Sequence, residues 1–242
     1  MTLAERRRGL MAAQGGGGST VHGTWDDLFR TIDSGTHATE YELGEILYTT
    51  IGEYSIKMQI VAFDADAISG TNNTAAVSLI SYTHIPGNRR FNPAYVANTS
   101  GTGTLGGWDA CELRASLNGS TFLNSIQNDV LARIVTVDKY SDGYDISETL
   151  VKNQKTEDRI WIPSYREMGS SICETVGVTY GSFFTSDSIR MRQNYSETTG
   201  TAYRCRSAYS TSNLWTVALG GGLSTTNKAA NWATIVVGFC VN

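Results

Sequence analysis

The sequence predicts an α+β fold: irregular antiparallel sheets with two or more helices and long loops. Three observations carry that prediction. The chain of 242 residues has 25 Gly against 3 Pro and only 17% charged residues, with Ser and Thr abundant, which suits strands and many turns better than a helical bundle. Several stretches alternate apolar and polar residues with the period of a half-buried strand, and others carry the i, i+3, i+4 apolar spacing of a helix. No apolar run reaches the roughly 18 residues of a membrane span. The net charge of −4 leaves no basic footprint for DNA or RNA, so neither a nucleic-acid nor a membrane partner is expected.

Residues 2–14 (Leu3, Ala4, Glu5, Arg6, Arg7, Arg8, Leu10, Met11) are good helix formers, and Gly15-Gly-Gly-Gly-Ser19 ends them. Residues 1–19 therefore read as a helical arm with a Gly-rich linker, and 20–242 as one domain. The three arginines read as a solvated helix face, and the arm as a dock for a larger assembly. The first ten residues lack the apolar core of a signal peptide.

Thr24 is an N-cap candidate ahead of Trp25, Leu28, Phe29 and Ile32, an amphipathic helix that Ser34-Gly35 stops. The runs at 45–51 and 54–63, separated by Gly52-Glu53, form a hairpin whose buried face carries Ile56, Met58 and Ile60. A strand at 76–82 and a loop to about Gly107 follow. Residues 109–118 read as a helix with Ala110, Leu113 and Leu117 on one side, closed by Gly119. A further helix over 120–131 leads into a strand at 132–138, and 139–157 is polar and loop-like. A buried strand at 159–163 precedes Ser164 and Glu167, which are spaced as a capping box. The clearest remaining strands are 214–219 and 234–241.

Few residues invite a catalytic reading. His22, His37 and His84 lie apart without a ligand pattern, so no zinc site or other cofactor is expected. No nucleophile elbow is present. Asp158 and Glu167 fit a turn residue and a capping partner better than a glycosidase dyad. Gly220-Gly-Gly lacks the Lys of a phosphate-binding loop and reads as a turn. Trp108, Arg114, Asn118 and Arg206 read as framework that satisfies buried backbone carbonyls and turns. Cys111, Cys173, Cys205 and Cys240 have no metal or redox spacing and read as buried hydrophobes.

The last quarter is different: residues 187–232 are rich in Tyr, Ser, Thr and Asn, and an apolar strand follows them. Tyr supplies rigid contact area with a polar tip, and short polar side chains supply adaptable hydrogen bonds, the chemistry of a binding surface. The candidate ligand-binding residues are Tyr195, Tyr209, Ser210, Ser212, Asn213, Asn227, Asn231 and Trp232. Trp215, inside an apolar run, and Tyr203 read as core.

Four blocks carry a resemblance: Gly106-Gly-Trp-Asp-Ala-Cys-Glu-Leu-Arg-Ala-Ser-Leu-Asn118, Thr156-Glu-Asp-Arg-Ile-Trp-Ile-Pro-Ser-Tyr-Arg-Glu167, Tyr203-Arg-Cys-Arg-Ser207 and Val237-Gly-Phe-Cys-Val241. In this order they resemble a family of uncharacterised domains of gut Firmicutes and their phages. That architecture is similar to the C-type-lectin fold, shared by formylglycine-generating enzymes and by variable receptor-binding proteins diversified by retroelements. The resemblance implies a non-enzymatic receptor-binding or adhesion protein of a phage virion or tail fibre, or of a bacterial cell surface. Its partner would be a protein or glycan receptor on a bacterial surface, with other virion proteins meeting residues 1–19. Related variable proteins imply a homotrimer. Two alternatives follow from the same likeness: a copper enzyme using Cys205 and Cys240, and a structural decoration or baseplate protein. The calcium-binding loop motifs of lectins are missing.

Overall fold

A computed structural model describes residues 23–92, 103–195, 199–229 and 233–242. They form a mixed α+β domain of mostly antiparallel strands in curled sheets, with few and short helices. The predicted arm and linker lie outside the described residues.

Helix α1 (Trp25–Asp33) starts where its chemistry predicts. Thr24 Oγ1 accepts from Asp27 N and Asp27 returns a bond to Thr24 N, both at 3.2 Å, so two orphan amides are satisfied reciprocally. Its buried face of Trp25, Leu28 and Phe29 packs on the main sheet, and Trp25 Nε1 donates to Tyr48 O at 2.7 Å. Helix α2 (His37–Glu40) follows.

The main sheet has five strands in the order β1 (Ile46–Ile51), β2 (Tyr54–Phe63), β3 (Val77–Ser81), β12 (Gly238–Val241) and β5 (Ile134–Val135). The predicted β1–β2 hairpin is present, with Ile51 opposite Tyr54 and Gly52 at φ +63° in the turn. Ile56, Met58 and Ile60 are fully buried, and β3 and β12 are buried on both faces.

Several expectations are corrected. The predicted loop after β3 contains β4 (Ile85–Arg89), paired with β11 (Ala233–Ile235). The predicted strand at 234–241 is therefore two pieces in two sheets, because the chain changes sheet at Val236 and Val237. The helix expected over 109–118 is α3 (Glu112–Leu117), capped by the Cys111 sulfur; Leu113 and Leu117 are buried, but Ala110 lies outside it and is exposed. The helix expected over 120–131 breaks into α4 (Ser120–Leu123) and α5 (Asn128–Arg133), since Gln127 N turns away to bond Thr50 O at 2.9 Å.

The largest correction is 139–157, expected as a loop. It is most of a long hairpin, β6 (Val137–Tyr144) with β7 (Leu150–Asp158). The inward positions Lys139, Ser141 and Asp142 are polar, so the apolar alternation that announces a strand is missing. Residues 160–163 are buried as predicted and Arg159 is half-buried, but among the described residues this segment joins a ladder through a single bridge between Trp161 and Gly238. After the short helix α6 (Asp187–Arg190), β8 (Tyr203–Ala208), β9 (Asn213–Val217) and β10 (Leu223–Lys228) form a three-stranded sheet in the order β10-β9-β8. The Gly220-Gly-Gly stretch is the β9–β10 turn, with Gly221 at φ +87°.

Candidate functional site

In β9, Leu214 and Thr216 face inward, so Trp215 points the other way. The prediction that Trp215 is core is thus corrected: it is half-buried, with one face stacked on Tyr165 (centroids 4.3 Å apart, planes 20°) and its edge against Tyr209 (4.9 Å, 78°). Tyr165 is buried and Tyr209 is 48% exposed, so the three rings run from core to solvent. Such contacts fix ring orientation beyond area burial.

The 209–213 turn is built by its own polar groups. Tyr209 N and Ser210 N donate to Asn213 O at 2.8 and 3.1 Å, and Ser210 Oγ accepts from Asn213 N at 3.1 Å. Thr104 Oγ1 donates to Ser210 O at 2.7 Å, and Tyr144 Oη to Tyr209 O at 3.5 Å. Tyr144 leads to the tip of the β6–β7 hairpin, where Ile146 and Leu150 are exposed. Aromatic and apolar surface thus adjoins the hydroxyl and amide groups of Ser210, Ser212 and Asn213.

Of the predicted residues, Tyr209, Ser210, Ser212 and Asn213 come together here. Tyr195 does not belong with them by its contacts: it is half-buried, meets Tyr54 edge-on at 5.1 Å, and its hydroxyl accepts from Ser55 N at 3.3 Å. It braces the end of the β1–β2 hairpin, a correction to its role as a free contact. Asn231 and Trp232 lie outside the described residues, as does the side chain of Asn227 in β10. Sequence reasoning missed Tyr165 and Tyr144, whose distance along the chain concealed them.

Behind the platform lies a buried polar network. Arg206 donates to both Glu167 oxygens at 2.7 and 2.9 Å, and also to the carbonyls of Ile162 and Tyr140. Glu167 keeps the predicted reciprocal bonds with Ser164, at 2.8 and 3.1 Å, though around a turn rather than a helix. Lys139 Nζ lies 2.6 Å from Asp66 Oδ1, 3.1 Å from Glu167 Oε1 and 2.9 Å from Tyr180 Oη. Burial would raise the Glu167 pKa, but Arg206 and Lys139 bring it down to about 2. Asp158, read as a turn residue, instead accepts from Trp108 Nε1 at 2.9 Å, Arg114 Nε at 2.6 Å and Thr156 Oγ1 at 2.7 Å. Asn118 bonds the backbone of Arg159 and Ile160, so this motif is framework as predicted.

Beside β8, buried His84 meets Tyr203 edge-on at 5.8 Å. Burial and then the Arg192 cation push its imidazole down from 6.5 to about 4. The unfolded chain takes up this proton first, so the His84 contribution is complete above pH 6.5 and is lost as the pH falls from there towards 4. The full effect is about 3 kcal/mol. Urea midpoints measured across that window are expected to fall in the wild type and to fall less in His84→Phe; parallel curves would refute the assignment.

All four cysteines are free and buried, as expected of small hydrophobes, and Cys205 and Cys240 form no disulfide. Cys240 bonds Ser78 and Asp66, whereas Cys205 lies among Glu174, Cys173 and Arg206, and burial raises both thiols well above their usual range. Among the described residues no group of three His, Cys, Asp or Glu is placed to hold a metal ion, and no helix is long and apolar enough to cross a membrane. An open cavity of about 370 Å³ at Trp25, Tyr48 and Asp129 holds none of the predicted residues.

These features define an α+β domain that displays an aromatic and polar surface on a three-stranded sheet over a buried ionic framework. The chain belongs to the family described as domain of unknown function (DUF6273), whose model matches residues 88–242. No curated protein and no solved structure matches the chain.

Proposed function

We propose that this protein is a non-enzymatic ligand-binding module of C-type-lectin-like fold, acting as a receptor-binding or adhesion protein of a phage virion or bacterial surface. The observation that carries the reading is the ring series Tyr165, Trp215 and Tyr209, which emerges beside Ser210, Ser212 and Asn213. A pre-oriented aromatic anchor with a polar rim is the anatomy of a binding hot spot. The separate, buried settings of Cys205 and Cys240 speak against the copper-enzyme alternative, because a reactive thiol needs access and a lowered pKa. Several copies on one particle, as in a homotrimer, would multiply weak single contacts. Diversification by a retroelement would act on the loops of the C-terminal quarter.

Retention of the purified full chain on intact Firmicutes cells tests the reading. Prior periodate treatment of the cells removes a glycan receptor, and protease treatment removes a protein receptor. Tyr209→Ser with Trp215→Ala is expected to cost at least about 2 kcal/mol of affinity, roughly thirtyfold. Tyr209→Ser alone should leave the thermal midpoint nearly unchanged, since that ring is half exposed. Equal retention of the double variant and the wild type refutes the platform; no retention of either overturns host attachment in favour of a structural virion protein.

A further inference from the structure

Lysine is almost never taken wholly out of water, yet Lys139 is 1% exposed. Its Nζ sits 3.6 Å from the centroid of the Trp161 ring. The adjoining Glu167 has both carboxylate oxygens bonded to the Arg206 guanidinium and lies farther from Nζ, at 3.1 Å. Lys139 and Asp66 therefore make a second buried ion pair, at 2.6 Å, with its own desolvation cost. The other Asp66 oxygen accepts from Tyr180 Oη at 2.6 Å and from Ser78 Oγ. With the weaker Cys240 thiol at 3.4 Å, three donors on one oxygen and an amine at the other polarise the carboxyl group as an oxyanion site polarises an acyl group.

We infer that Lys139 and Asp66 condense into an intramolecular isopeptide bond between Nζ and Cγ. The ammonium passes one proton to Asp66 Oδ1 across the 2.6 Å contact, leaving a neutral amine and a neutral acid. The amine lone pair attacks Cγ and forms the C–N bond, while Tyr180 and Ser78 hold the developing oxyanion on Oδ2. Glu167 Oε1, 3.1 Å from Nζ, accepts a second proton and returns it to the hydroxyl on Cγ. The C–O bond then breaks and water leaves, with no oxidant or reductant needed. Burial favours the neutral amine, but Asp66 and Glu167 together hold Lys139 above its usual pKa, so the neutral pair is the minor form from which the attack starts. The product exchanges two buried charges for an amide and ties the loop after β2 to β6 across 73 residues.

Intact mass of the purified, denatured full chain tests this directly, with loss of the initiator methionine scored separately. The wild type is expected to be lighter than its sequence mass by one water, and proteolysis should yield one branched peptide containing Asp66 and Lys139, uncleaved by trypsin after Lys139. Lys139→Arg, which keeps the positive charge, should restore the full mass. Asp66→Asn should lose one ammonia instead of one water. A folded wild type that stays at its full sequence mass overturns the inference without recourse to any variant. Persistence of the water loss in Lys139→Arg would do the same, by placing the dehydration elsewhere.

Discussion

Glu167→Gln is expected to destabilise the fold by about 3–5 kcal/mol, the usual cost of stripping one partner from a buried charge cluster. Glu167 is 2% exposed and answers two cations at once, with Arg206 bonded to both oxygens and Lys139 to one. The amide can still take the Ser164 bond, but it leaves the guanidinium without its bonded counter-charge, with Glu174 and Asp158 as the remaining carboxylates that it feels, and turns a donor group towards other donors. The pH dependence supplies a signature. With a folded pKa of about 2 against an ordinary 4.5, the wild-type carboxylate contributes fully above pH 4.5, and that contribution is lost as the pH falls through this range towards 2. The variant should lose this acid limb of the stability curve while keeping the separate limb due to His84. Urea unfolding as a function of pH measures both, and a variant as stable as the wild type at neutral pH would show that the Arg206 charge is balanced elsewhere.

Trp161→Ala is expected to cost a similar amount, about 3–5 kcal/mol, through the cavity it opens. Trp161 is fully buried, stacks near Tyr180 and carries Lys139 on its face. It also presses on strand β12: a Cβ placed on Gly238 would lie 2.2 Å from its ring atoms, while the two backbones exchange bonds of 3.1 and 2.7 Å. Gly238→Ala should therefore overpack the same spot, at about 1–3 kcal/mol. Because the two positions share one volume, Trp161→Phe combined with Gly238→Ala should cost less than the sum of the single changes. Calorimetric midpoints of the four proteins decide it, and strict additivity would show that the ring and the strand do not compete for space.

What the sequence discloses here follows from how each element is held. Helix α1 and strands β1, β2 and β3 rest on apolar residues at regular spacing, and that spacing is visible locally. The β6–β7 hairpin is held instead by polar inward residues whose partners are distant: Lys139 by Asp66, and Asp142 N by Glu174. No local pattern signals such bonds. The surface divides in the same way. Tyr209, Ser210, Ser212 and Asn213 come together because composition and turn chemistry concentrate them in one short stretch. Trp215 was misread because the apolar run around it reads as buried throughout, whereas in the strand its neighbours Leu214 and Thr216 face inward and it faces the other way. Arg206 was correctly expected to satisfy carbonyls, but its ionic partner had to be found in space.

The place of β12 between β3 and β5 has a consequence for how the protein is made. Ser81 and Val237, which meet in the sheet, are 156 residues apart. At a synthesis rate of about 5–20 residues per second, the β1–β2–β3 meander leaves the ribosome on the order of ten seconds before the strand that completes it. During that interval the β3 edge, whose two faces are both buried in the finished domain, is open to any neighbouring nascent chain. Yield in a cell should thus depend on holdase chaperones and on translation speed across residues 82–237 more than on the stability of the finished domain.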